Sequence, residues 1–206
     1  MEYKEYWKTL WSIKHDCDYE QYYDRIIFPV LQESIDNIEE LKVVPIFDTR
    51  NHGLTNKYRN VCGSNLQRVW ADYLIVSQQY SMDNIISPIL RVEIKKPNLL
   101  KDDNGKLRYR CLLSEINNYR SKNEVQGETD LSPVILTDGI QWYGLPYQSK
   151  YDNWNDALMV KQIINIGDKV PNVDAYYFET NQEEFNDLTE KLGQYIKNIY
   201  EESQRK

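Results

Sequence analysis

Long apolar runs are missing from this chain of 206 residues. Runs such as Ile26-Ile27-Phe28 fall far short of the roughly 20 residues that cross a bilayer, so no membrane span is expected. The opening Met1-Glu2-Tyr3-Lys4 lacks the basic-then-apolar order of a secretory leader. The expected location is therefore intracellular, in the cytoplasm or, in a eukaryotic cell, the nucleus. Cysteine is scarce: Cys17, Cys62 and Cys111 lie far apart, are odd in number and have no zinc-ligand spacing. They are expected to be reduced, structurally ordinary thiols. Histidine is scarcer still, and His15 and His52 are too few for a histidine-based mechanism; His52 reads as a loop residue. Positive charge is in deficit, with a formal net charge of −7. That excludes a protein that coats polyanions indiscriminately but leaves room for a local basic groove. No internal repeat and no Gly/Ser-rich linker divides the chain, so a single domain over residues 1–206 is expected, long enough to bury a core without disulfides.

Aromatics are plentiful, with 17 tyrosines and 5 tryptophans, most of them suited to core or half-buried positions. Asp18 is placed to cap a helix over 19–36, whose Ile26, Ile27, Val30, Leu31 and Ile35 keep helical spacing. Pro29 inside it should kink or break it. Residues 41–47 read as a β-branched strand, 72–77 as a second and 89–95 as a third, closed by Pro97. Between the first two, residues 49–71 hold Arg50, Lys57, Arg59 and Arg68 with no acid and many turn formers. A hairpin extension is expected around 78–87, a basic hairpin over 101–110 and a short helix over 112–122. Residues 133–137 form an apolar strand, and Asp138-Gly139 turns into a strand over 140–145. Residues 151–177 are ambiguous. Thr180 with Glu183 has the form of a capping box before a helix that buries Phe185, Leu188, Leu192, Ile196 and Ile199. The order of elements points to an α/β sandwich, a central mixed sheet flanked by helices, with a core over about 19–147 and an insertion plus C-terminal helix over 148–206.

The segment that carries chemistry is Ala71-Asp72-Tyr73 followed by Arg91-Val92-Glu93-Ile94-Lys95-Lys96-Pro97. Side chains alternate along a strand, so Arg91, Glu93 and Lys95 share one face while Val92 and Ile94 take the other. If the preceding strand pairs alongside, Asp72 completes a group of two carboxylates and one ammonium. Hard oxygen donors of this kind suit Mg²⁺ or Mn²⁺, and the Ile94 carbonyl offers one more. Such an ion polarises a phosphodiester and acidifies water, while a lysine beside it positions the water or neutralises developing charge. Residues 91–110 hold seven basic side chains against three acids, a local net of +4, unlike the chain as a whole.

With Asp72 opening one strand and Glu93-Ile94-Lys95 on the next, the sequence resembles the PD-(D/E)xK nucleases, the restriction-endonuclease-like superfamily. Ala71 stands where that pattern usually has proline. Glu20 ahead of Ile27-Phe28-Pro29-Val30-Leu31, the Ser114-Glu115-Ile116-Asn117-Asn118-Tyr119 segment and Leu136-Thr137-Asp138-Gly139-Ile140-Gln141-Trp142-Tyr143 resemble the N-terminal nuclease domain of type I restriction R-subunits. Glu115 departs from the glutamine common there, and no helicase motor accompanies the segment. The resemblance, which covers residues 19–147, implies a restriction-endonuclease-like three-layer sandwich. It also implies a Mg²⁺- or Mn²⁺-dependent endonuclease with Asp72, Glu93, Lys95 and an assisting Glu20 as catalytic residues. Asp72, Glu93 and the Ile94 carbonyl would be metal ligands, and Arg50, Lys57, Arg59, Lys96, Arg108 and Arg110 phosphate contacts. The implied partner is nucleic acid, DNA before RNA, and a homodimer is the form that cuts both strands, with the C-terminal helix as an available interface. The alternatives are a module that keeps the fold and binds nucleic acid or acts as an effector without turnover, an RNA endonuclease using the same site, and a protein-interaction domain.

Overall fold

The computed structural model describes residues 2–16, 23–45, 72–81, 88–96, 100, 133–145, 161–167 and 182–205. Six strands make one sheet in sequence order: β1 (Leu41–Pro45), β2 (Tyr73–Ser77), β3 (Leu90–Ile94), β4 (Val134–Thr137), β5 (Gln141–Leu145) and β6 (Lys161–Asn165). Neighbours run antiparallel except β3 and β4, which are parallel. The sheet is therefore mixed, with helices beside it, as an α/β chain requires. The expected strands 41–47, 72–77, 89–95, 133–137 and 140–145 are each present; the last four are shorter by one residue at one or both ends, and 46–47 of the first lie outside the described residues. β6 lies inside the segment whose sequence was ambiguous.

Among the described residues, helices cover one face. These are α1 (Tyr3–Asp16), a π-helical turn (Tyr23–Ile27) running into α2 (Phe28–Ile35), the short α3 (Gln182–Asn186) and α4 (Leu188–Gln204). Tyr6, Leu10, Ile26, Leu31, Leu192 and Ile196 pack with Tyr73, Ile75, Leu90, Val92, Ile94, Ile135, Trp142 and Ile164 in one apolar core. These sheet residues alternate with Leu74, Val76, Arg91, Glu93, Leu136, Gln141, Tyr143 and Leu145, which the pleat turns to the second face and which are buried as well. Among the described residues, no helix is long and apolar enough to cross a membrane.

At the expected kink or break, the π-helical turn gives way to α2. Pro29 sits in the first turn of α2, where its missing N–H has no intrahelical partner to lose. The expected C-terminal helix divides at Asp187 into α3 and α4. α1 was not anticipated, although Tyr3, Tyr6, Trp7, Leu10 and Ile13 are all buried along it at helical spacing. Glycine brings α4 close to α2: a Cβ on Gly193 would lie 2.4 Å from the Ser34 carbonyl oxygen.

Candidate functional site

The site begins at the start of β2. Tyr73 is fully buried, and its ring stacks on Phe28 of α2 with centroids 5.7 Å apart and planes 15° from parallel. This fixes the backbone that carries Asp72, which lies one residue before the strand. Asp72 donates its N–H to the Val92 carbonyl at 2.9 Å. Its half-buried carboxylate accepts the Ile94 N–H through Oδ2 at 2.7 Å. Backbone pairing of β2 with β3 covers Tyr73–Ile75 and Leu90–Val92. The Asp72 side chain thus continues the ladder by one rung, holding Ile94 where the paired register has ended. On the other side, Lys95 donates its N–H to the Thr137 carbonyl at 2.8 Å. The Ile94-Lys95 segment is clamped from both neighbouring strands.

The alternation expected along β3 is present. Val92 and Ile94 enter the helix-side core, whereas Arg91 and Glu93, 9% and 6% exposed, lie on the second face. Lys95 returns to that face, and its Nζ is 2.8 Å from Glu93 Oε1, with side-chain exposures of 17% for the lysine and 8% for the glutamate. A carboxylate so withdrawn from water requires a counter-charge or a bound cation; Lys95 provides one. Register carries the Glu93 row onward to Leu136 and Tyr143. The Tyr143 hydroxyl donates to Gln141 Oε1 at 2.7 Å in the same buried layer.

Asp72, Glu93, Ile94 and Lys95 thus come together at one end of β2 and β3, with exposed Lys96 next to them. Glu20, Arg50, Lys57, Arg59, Arg108 and Arg110 lie outside the described residues, as do the three cysteines, His52 and Glu115. Trp142 is fully buried in the core. Among the described residues there is no group of three or more His, Cys, Asp or Glu side chains that could hold a metal ion. The donors present are two carboxylates and a backbone carbonyl. They suit a hard cation that keeps several waters in its own shell, not a closed zinc cage.

The expected Asp138-Gly139 turn lies beside Lys95, and the side-chain bonds that brace it add to what the sequence showed. Thr137 Oγ1 accepts the Gly139 N–H at 2.9 Å, and Asp138 Oδ1 accepts the Ile140 and Gln141 N–H groups at 3.0 and 2.9 Å. Gly139 has φ 81°, the left-handed region that glycine enters without penalty. The Tyr6 hydroxyl donates to the Gly139 carbonyl. Burial first, and the nearby Asp138 charge second, hold the Tyr6 hydroxyl well above the ordinary tyrosine range, so it stays a donor. The turn itself was legible as Asp138-Gly139; the tyrosine that meets it is 133 residues away, and no local pattern joins the two.

In comparisons with known proteins the chain matches no family model, no curated protein and no solved structure.

Proposed function

We propose that the chain is a Mg²⁺- or Mn²⁺-dependent endonuclease acting on DNA, of the PD-(D/E)xK type, with a restriction-endonuclease-like arrangement of its mixed sheet and helices. Two contacts at the end of β2 and β3 support the proposal. Asp72 is held against Ile94 at 2.7 Å, and Lys95 is held against Glu93 at 2.8 Å.

Asp72, Glu93 and the Ile94 carbonyl would bind the ion, which supplies Lewis acidity toward the scissile phosphate and a lowered water pKa. The clamp on Ile94-Lys95 keeps the two carboxylates and the ammonium in fixed relation before substrate arrives, so little reorganisation is needed during the reaction. Lys95, a short hop from Glu93, is placed to orient the attacking water or to neutralise charge on the phosphate oxygens. Glu20 is assigned an assisting role. Lys96, exposed beside the cluster, and Arg50, Lys57, Arg59, Arg108 and Arg110 are assigned to the phosphate backbone.

One observation favours a second reading, a nucleic-acid-binding module without turnover. Both acids already have structural partners: Asp72 completes the β2–β3 ladder and Glu93 is charge-paired. The deciding experiment incubates the purified protein with plasmid, single-stranded DNA and RNA, each with Mg²⁺, Mn²⁺ or EDTA. Metal-dependent cleavage of DNA that is lost in Asp72→Asn and Lys95→Ala upholds the nuclease. Salt-sensitive binding without cleavage supports the binding module, and cleavage of RNA alone reassigns the substrate.

A further inference from the structure

Lys95 lies one residue beyond β3, outside the regular ladder with β2. Its main chain is fixed by the bond from its N–H to the Thr137 carbonyl at 2.8 Å. The place of Lys95 therefore depends on where the β4–β5 turn holds Thr137. That turn is braced internally by the Thr137 hydroxyl and the Asp138 carboxylate. Its left-handed Gly139 is buried, and its carbonyl meets Tyr6 of α1. A buried carbonyl without a donor is costly, and the donor is the hydroxyl of Tyr6, itself 0% exposed on α1.

We infer that Tyr6 is a positioning residue for the Lys95–Glu93 pair, acting from α1 through Gly139 and Thr137. The functional consequence rests on the nuclease proposed above; the structural link does not. With the hydroxyl in place, the turn is pinned to the core, and the Thr137 carbonyl meets the Lys95 N–H at one height. Without it, Gly139 must rotate or draw in water. Thr137 then shifts, and the ammonium loses its fixed relation to Glu93. An ordinary core tyrosine would instead contribute packing alone, and its truncation would loosen the molecule evenly.

The test is Tyr6→Phe, which keeps the ring and removes the donor, studied in the full chain by residue-resolved amide hydrogen exchange. Exchange at Lys95 and Gly139 is expected to quicken by about tenfold or more relative to remote core amides such as Leu192, as local rather than global opening. Tyr3→Phe, on the same helix but with its ring against Phe185 at 5.4 Å, leaves Lys95 unchanged. If Tyr6→Phe does not fold, Thr137→Val, which deletes the Oγ1 brace on Gly139, must give the same local signature. In cleavage assays Tyr6→Phe lowers kcat by about tenfold with KM unchanged, as a displaced catalytic group does. Uniform quickening across the core, or unaltered exchange at Lys95 in a folded Tyr6→Phe, overturns the inference, as does unaltered exchange in Thr137→Val where Tyr6→Phe does not fold. Wild-type protein that cleaves no nucleic acid defeats the nuclease assignment instead, and the exchange pattern still decides the positioning link.

Discussion

Asp72 serves two purposes that a pair of substitutions separates. As an acceptor for the Ile94 N–H it is structural; as a carboxylate it would be a metal ligand. Asn retains an oxygen acceptor, so Asp72→Asn is expected to change stability by less than about 1 kcal/mol, whereas Asp72→Ala strands a partly buried amide and costs about 1–3 kcal/mol. Urea unfolding reads the difference, and both variants lose metal-dependent cleavage. Equal destabilisation by the two would remove the structural role of the carboxylate. Lys95 yields a parallel case. Lys95→Met removes the ammonium from Glu93, 8% exposed at its side chain, and is expected to cost roughly 1–3 kcal/mol, below a fully enclosed pair because the lysine retains some solvent. Lys95→Arg returns most of that stability without returning full turnover, because the larger planar guanidinium does not take the place of the compact ammonium beside water and phosphate. Much at this scale was legible in the sequence. Glu93-Ile94-Lys95 placed an acid and a base on one face by alternation alone, and the structure pairs them. What alternation did not reveal is that Asp72 spends an oxygen on the backbone of Ile94. That follows from where the β2–β3 ladder stops, a property of two strands together.

At the scale of elements, α2 and α4 are held together where glycine permits it. Ala at position 193 should favour an isolated helix by about 1 kcal/mol, yet its Cβ would meet the Ser34 carbonyl at 2.4 Å. The contact is with backbone and cannot rotate away. Gly193→Ala is therefore expected to destabilise the protein by about 1–3 kcal/mol in thermal unfolding; a rise in Tm would contradict the packing described. α1 contributes through Tyr6, whose pKa is raised well above the ordinary 10.0 by burial and by Asp138. The unfolded chain loses this proton first as pH rises, so the bound proton stabilises the fold fully below pH 10 and that contribution declines above it. The fall in stability between pH 10 and 11 should accordingly be shallower in Tyr6→Phe than in the wild type, by chemical denaturation at each pH. The helices also mark where sequence patterns ran out. α4 was visible from Leu188, Leu192 and Ile196, all buried. α1 was not: its apolar stripe is built largely from Tyr3, Tyr6 and Trp7, amphipathic residues that read equally well as surface until a partner such as Phe185 packs against them.

For the molecule as a whole, local periodicity predicted five of the six described strands but not their directions. The parallel step from β3 to β4 is a consequence of tertiary connection, invisible in the hydrophobic pattern of either strand, and it is the step that sets Thr137 beside Lys95. Charge is distributed unevenly too. A chain of net −7 holds seven basic residues against three acids over 91–110. If Arg50, Lys57, Arg59, Lys96, Arg108 and Arg110 all engage phosphates, log Kd for duplex DNA should rise with log salt at a slope of about 5; binding indifferent to salt would exclude them as the contact surface. The central claim, that Asp72 and Glu93 share a divalent ion beside Lys95, is met most directly by titrating Mn²⁺ into the protein and counting bound ions by electron paramagnetic resonance. One ion per wild-type chain is expected, lost in both Asp72→Asn and Glu93→Gln. A wild-type chain that takes up none, or two variants that keep theirs, would contradict it.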